Sequence, residues 1–276
     1  MIELGRLNTL SVMRIVEFGV YLDGGDKGGI LLPQKEVPEE CQIGDQLRVF
    51  VYLDSDDMPV ATMKKPRAQV GEFASLVVAD TNQVGAFLDW GLPKQLFLPF
   101  AQQAKPVEPG QRCIVYLYVD NSGRIAASAK LEKFLDKTPC DYTPGQTAEL
   151  LFWRRTDLGY LAIVDHRYLG MLHNQDLFRE IRSGQTVHGF IKQVREDGKI
   201  DVMLEKPGYA KVDPLAQQIL QYLEIKGGQC QLNDKSSPEE IKELFAVSKK
   251  AFKMALGNLL KQGLIRQNEQ GIERVE

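Results

Sequence analysis

Gly85-Ala86-Phe87-Leu88-Asp89, then Phe97-Leu98-Pro99, then Gly110-Gln111-Arg112 is a pattern this chain uses three times. Upstream it reads Gly19-Val20-Tyr21-Leu22-Asp23, Leu31-Leu32-Pro33 and Gly44-Asp45-Gln46. Downstream it reads Gly159-Tyr160-Leu161-Ala162, Met171-Leu172-His173 and Gly184-Gln185-Thr186. In every copy the second glycine follows the first by 25 residues, and the Pro or His follows it by 14, so the copies are repeats of one unit. An alternating run comes next: Leu47, Val49, Val51; Cys113, Val115, Leu117, Val119; Val187, Gly189, Ile191. Period-2 alternation means half-buried strands. The tetrapeptide Asp54-Ser55-Asp56-Asp57 and its counterparts Asp120-Asn121-Ser122-Gly123 and Glu196-Asp197-Gly198 are hairpin turns. The first glycine of each copy reads as a bend or bulge at a barrel corner. Four or five strands in about 65–70 residues fit a small five-stranded Greek-key barrel of the oligonucleotide-binding type.

Beyond Pro207-Gly208-Tyr209 the period changes to that of helices. Asp213-Pro214 reads as a cap followed by proline in the first turn, and Leu215, Ile219, Leu220 and Leu223 form one apolar face that ends at Gly227-Gly228. Ser237-Pro238-Glu239-Glu240 is a capping box ahead of Ile241, Leu244 and Phe245. Ser248 caps a third helix carrying Phe252, Leu256, Leu259 and Leu260, which Gly263 stops. Leu264-Ile265-Arg266 and Gly271-Ile272-Glu273-Arg274 read as a wing hairpin. The expected organisation is mainly β with an α C-terminal domain: barrels over 1–66, 67–138 and 139–207, then a winged helix-turn-helix over 210–276.

Composition narrows the function classes. Net charge is −3, against the basic balance usual for a dedicated duplex-DNA binder. Only 210–276 is net positive, and Lys249, Lys250, Lys253, Lys261 and Arg266 stand there in an acid-free run. No apolar run reaches the length of a membrane span, and Met1-Ile2-Glu3-Leu4-Gly5 lacks a signal-peptide start, so a cytoplasmic protein with no membrane partner is expected. Cys41, Cys113, Cys140 and Cys230 form no C-x-x-C pair and read as free thiols. His166, His173 and His188 have no metal-ligand spacing, and no nucleophile–base or phosphate-loop motif occurs. The expectation is therefore a protein that is not an enzyme and needs no cofactor or metal.

Phe18-Gly19-Val20-Tyr21-Leu22 and Val84-Gly85-Ala86-Phe87-Leu88 resemble the second-strand signature of S1-type RNA-binding domains. Gly170-Met171-Leu172-His173 and Gly123-Arg124-Ile125-Ala126-Ala127-Ser128 resemble that family's third- and final-strand signatures. Gly85-Ala86-Phe87-Leu88-Asp89-Trp90-Gly91 with Leu98-Pro99-Phe100, Val194-Arg195-Glu196-Asp197-Gly198-Lys199-Ile200-Asp201 and Asp234-Lys235-Ser236-Ser237-Pro238-Glu239-Glu240-Ile241 add a whole-chain pattern. With Ser248-Lys249-Lys250-Ala251-Phe252-Lys253, they make the chain similar to the bacterial conserved virulence factor B family, three S1-type barrels plus a winged helix. That resemblance implies RNA binding linked to regulation of gene expression. It also implies a binding face with an aromatic before the first glycine, another two residues after it, and the third-strand histidine. Repeat one has Phe18, Tyr21 and Pro33; repeat two Val84, Phe87 and Pro99; repeat three Leu158, Leu161 and His173. No repeat holds the whole set, and the first two are favoured.

Single-stranded nucleic acid binds by base stacking on aromatics beside cations. The candidate residues are Phe18, Tyr21, Phe87, Trp90, Arg124, Trp153, Arg154, Arg155, His173 and Lys199 on the barrels, with Lys249, Lys250 and Lys253 on the third helix. Phe18 and Tyr21 share a face only if a bulge at Gly19 turns one of them. The turn context of Asp89-Trp90-Gly91 suits an exposed ring or a packing contact between barrels. The expected partner is single-stranded RNA, with DNA through the winged helix, or a protein-scaffold role, as the alternatives.

Overall fold

Each repeat closes into a barrel because its apolar alternation leaves one buried row per strand. The computed structural model describes residues 2–205, 214–261, 263–268 and 271–275, and it divides at Leu204/Glu205 into two compact units. In the first unit, β1 (Leu7–Val16), β2 (Gly19–Asp23), β3 (Gly29–Pro33), β4 (Gln46–Leu53) and β5 (Pro59–Thr62) form the first barrel. β6 (Phe73–Thr81), β7 (Gly85–Asp89), β8 (Leu96–Pro99), β9 (Arg112–Val119) and β10 (Ile125–Ser128) form the second. β11 (Thr147–Thr156), β12 (Gly159–Val164), β13 (Tyr168–His173), β14 (Thr186–Val194) and β15 (Ile200–Met203) form the third. All three are closed in one strand order, with the third and fifth strands parallel, as at Leu31↔Val60, Phe97↔Ala126 and Met171↔Asp201.

The repeated glycine is explained by backbone approach. A Cβ on Gly19, Gly85 or Gly159 would stand 2.2, 2.4 or 2.0 Å from the carbonyl oxygen of Leu32, Leu98 or Leu172. Only glycine lets the second strand enter so close to the third. The expected bulge is present but lies elsewhere: it falls in the first strand, between Val12 and Arg14, Val78 and Asp80, and Phe152 and Arg154. The long first strand must bend to pair on both sides, and the extra residue supplies the bend.

The barrels share apolar junctions. Val49, Phe50 and Val51 are all fully buried, which breaks the alternation. Val49 and Val51 fill the first barrel, while Phe50 packs into the second barrel's core cluster against Trp90, ring centroids 5.6 Å apart. Leu150, Leu151 and Phe152 do the same at the other junction, where Leu151 meets Phe73, Leu131 and Ile163. The Phe73 N–H donates to His166 Nδ1 at 3.0 Å, and His166 Nε2 lies 3.0 Å from Glu149.

The second unit has α1 (Pro214–Ile225), β16 (Gln229–Cys230), α2 (Pro238–Phe245), α3 (Lys249–Lys261), β17 (Ile265–Asn268) and β18 (Gly271–Arg274). The sheet order is β16-β18-β17, so the wing hairpin gains a short third strand that the sequence pattern does not announce. Its core is Ile219, Leu223, Ile241, Phe252, Leu256, Leu259, Ile265 and Ile272. The Ser237–Glu240 capping box forms, and Ser248 Oγ accepts from the Ala251 N–H. The expected Asp213 cap lies outside the described residues.

Candidate nucleic-acid interface

The core row dictates the outward row. Val20, Leu22, Ile30 and Leu32 are fully buried, so Tyr21, Leu31 and Pro33 face out on β2 and β3. The same register places Phe87, Phe97 and Pro99 on the second barrel and Leu161, Met171 and His173 on the third. The strand 2–3 face is where oligonucleotide-binding barrels hold their ligands. The first-strand bulge adds one more position, setting Arg14 opposite Tyr21, Asp80 opposite Phe87 and Arg154 opposite Leu161.

These faces differ in chemistry. On the first barrel the Arg14 guanidinium lies 4.7 Å from the Tyr21 ring centroid, and Phe18 meets Tyr21 edge-on at 6.3 Å. Phe18 sits in the β1–β2 turn and is 59% exposed, which leaves a ring surface open to a base. The pair thus shares a face through the turn. On the second barrel Phe87 and Phe97 lie 5.4 Å apart with exposed Phe100 nearby in sequence, and Asp80 stands where its neighbours carry arginine. On the third, Arg154 lies 4.5 Å over Trp153 and Arg155 5.8 Å over Tyr160. Trp153 is half-buried, packed on the Leu151–Phe73 junction, so it offers less ring than its composition suggests.

His173 is held by Asp201, Nε2 to Oδ1 2.9 Å. Asp201 also accepts from Arg195 and Gln193 and is almost fully buried. Burial pushes its carboxyl up, but the hydrogen bonds from Arg195, Gln193 and His173, with the Arg195 charge, outweigh it and hold the pKa at about 2. The third-strand histidine is therefore a fixed part of a polar network.

Two candidates lie away from every face. Trp90 is 2% exposed and its indole N–H donates to the Lys94 carbonyl, so a base cannot stack on it while the junction with Phe50 is closed. Arg124 pairs across the same junction with Asp57 at the tip of the first barrel's hairpin, where Lys94 also approaches at 3.6 Å. The Asp-rich hairpin is a turn, with Asp54 Oδ1 accepting from the Asp56 and Met58 N–H groups. Lys199 is exposed and pairs with neighbouring Asp197.

In the second unit, Lys249 donates to the Lys235 carbonyl, and Lys253 lies 3.9 Å from Asp234. Lys250, Lys253, Met254, Asn258 and Lys261 form one exposed, acid-free face of α3. Arg14, Phe97, Met254 and Asn258 were absent from the sequence-based set; the first two follow from register against Tyr21 and Phe87, the others from helical spacing. Among the described residues no group of three or more His, Cys, Asp or Glu is placed to hold a metal, and no helix is long and apolar enough to cross a membrane.

The S1 domain model matches residues 4–64 and 70–130, and the CvfB-like winged helix domain model matches 217–273. YitL of Bacillus subtilis is 32% identical over 274 residues, spanning 95% of this chain and 91% of its own length. Conserved virulence factor B of Staphylococcus saprophyticus is 28% identical, with 95% and 91% covered. A crystal structure from Streptococcus pneumoniae, described as a multidomain protein with nucleic acid binding domains, is 26% identical, covers 99% of this chain and 98% of its own, and has a TM-score of 0.45.

Proposed function

The chain belongs to the family of conserved virulence factor B and YitL, which joins S1 domains to a winged helix, and from that premise we propose a non-enzymatic, single-stranded RNA-binding protein that acts in the regulation of gene expression. The domain types support nucleic acid binding, and no catalytic family is indicated. One observation carries the RNA reading: the Phe18–Tyr21–Arg14 cluster, an open ring, a second ring and a stacked cation on one barrel face. A base–aromatic stack contributes about 1–3 kcal/mol, so loss of one ring weakens binding roughly 5- to 150-fold. Phe87 with Phe97 supplies a second stacking surface. The working location is the cytoplasm.

The test is filter binding of short single-stranded RNAs by the full chain at two salt concentrations. Binding that weakens with salt, and weakens further in Tyr21→Ala plus Phe87→Ala, supports the proposal; salt-insensitive or undiminished binding overturns it. A second reading, duplex DNA on α3, is favoured by the exposed face of Lys250, Lys253, Met254, Asn258 and Lys261. It predicts duplex binding that survives the barrel substitutions.

A further inference from the structure

The Asp54–Asp57 hairpin of the first barrel and the outer surface of the second enclose a cleft of about 360 Å³. Ligand pockets are clefts of about 300–1,000 Å³ that favour domain junctions, apolar walls and a few placed polar groups. Three aromatic side chains line this one: Tyr52 from β4, Trp90 from the β7–β8 connection and Phe97 from β8. Lys94 and Arg124 also line it but are balanced by Asp57 and Asp120, so the cleft carries no free positive field for a phosphate. Gln95 adds an exposed side-chain amide, able to donate and to accept, with no hydrogen bond of its own among the described residues. Ring surface plus an uncommitted amide suits a neutral planar heterocycle.

Phe97 belongs to two places at once. It lines the cleft, and it stacks on Phe87 at 5.4 Å on the second barrel's outer face. That face has Asp80 where the first and third barrels have Arg14 and Arg154, so it disfavours a phosphate while still presenting rings. A strand crossing the second barrel is guided to contact it through bases.

We propose that the cleft between the first two barrels is a nucleobase-reading pocket, which takes one unpaired base on the Tyr52 and Phe97 rings, with the buried Trp90 behind them as a wall and reporter, and reads its edge through Gln95. The base belongs to a strand lying on the second barrel or to a free nucleotide. The strand form rests on the RNA-binding reading above; the nucleotide form stands without it.

The chain has two tryptophans, so Trp153→Phe leaves Trp90 as the sole fluorescent indole, set in the wall of the cleft. The full-length variant is titrated with the four nucleoside monophosphates and with homopolymer RNAs of about 12 nucleotides, a length within the site size of such barrels. Filter binding of the same RNAs runs in parallel. The expected result is saturable quenching of Trp90 with affinities differing at least five-fold among the bases. Gln95→Ala flattens that preference, and Phe97→Leu, which keeps an apolar wall, weakens the quenching at least ten-fold with an unchanged urea midpoint. Quenching by RNA alone assigns the strand form, and quenching by mononucleotides without RNA binding keeps the pocket but removes the RNA reading. RNA binding without quenching, or a preference indifferent to Gln95→Ala and Phe97→Leu, overturns the pocket alone. No quenching and no RNA binding overturns both.

Discussion

Replacing Asp201 by Asn removes one charge from the third barrel and almost no volume. The folded carboxyl titrates at about 2 rather than the ordinary 3.8. At about 1.4 kcal/mol per pKa unit, that difference corresponds to about 2 kcal/mol of stability at neutral pH. The sign follows from the direction of the shift: the folded state binds the proton less readily than the unfolded state. The contribution is therefore complete above the unfolded value of 3.8 and is lost as pH falls through the folded value of about 2. Asp201→Asn resembles the protonated wild type, so the two proteins differ most at pH 7 and converge at the acid end of that window. With a urea dependence of about 1–3 kcal/mol per molar, the pH 7 midpoint falls by roughly 1 M. Urea unfolding at pH 7 and at stepped lower pH reads the difference, and hydrogen exchange of the β13 and β15 amides locates it. A variant as stable as wild type at pH 7, or a gap that does not close with acid, refutes the network as the source of the shift.

Three further outcomes follow from the same geometry. Trp90→Ala removes a buried indole from the first junction and costs about 3–5 kcal/mol, read as a lowered urea midpoint and faster proteolysis between the first two barrels; resistance equal to wild type counts against the junction. Gly159→Ala drives a Cβ against the Leu172 carbonyl and destabilises by about 1–3 kcal/mol in chemical denaturation, with an unchanged midpoint the contrary result. Lys250→Glu plus Lys253→Glu lowers any duplex affinity and flattens its log–log salt dependence by about 0.9 for each phosphate that is no longer neutralised, measured by anisotropy; an unaltered slope removes α3 from the interface.

The barrels were legible because their signals are local. The repeated glycine answers to a carbonyl only one strand away, and the alternation answers to the core of the same unit. Tyr21 and Phe87 could be placed on a face for that reason. What resisted reading depends on contacts between units. Phe50 and Leu151 look like interruptions of a strand pattern until a second barrel covers them. Arg14 and Arg124 carry the same charge, yet one lies over a tyrosine on the adjacent strand and the other pairs with Asp57 in another barrel. Asp201 gives no sign in sequence that it is buried, because its partners Arg195, Gln193 and His173 meet it only when β13, β14 and β15 close. Trp90 fell between two readings for the same reason: a turn residue is exposed unless something docks on it.

The junctions built on Phe50–Trp90 and on Leu151–Phe73 bear on avidity. Three weak faces on flexible linkers would each lose orientational freedom separately when a strand engages them. Here the barrels pack on one another, so under the proposed function a strand that meets one barrel makes its next contact intramolecularly. Its effective concentration is then set largely by the ligand's own flexibility, since the barrels are packed together rather than joined by free linkers. A ligand with the matching span gains multiplicatively from modest contacts, and one of the wrong span gains from a single face only. Under the proposed function, length selectivity would then follow from the packing between barrels, apart from any base that a barrel touches.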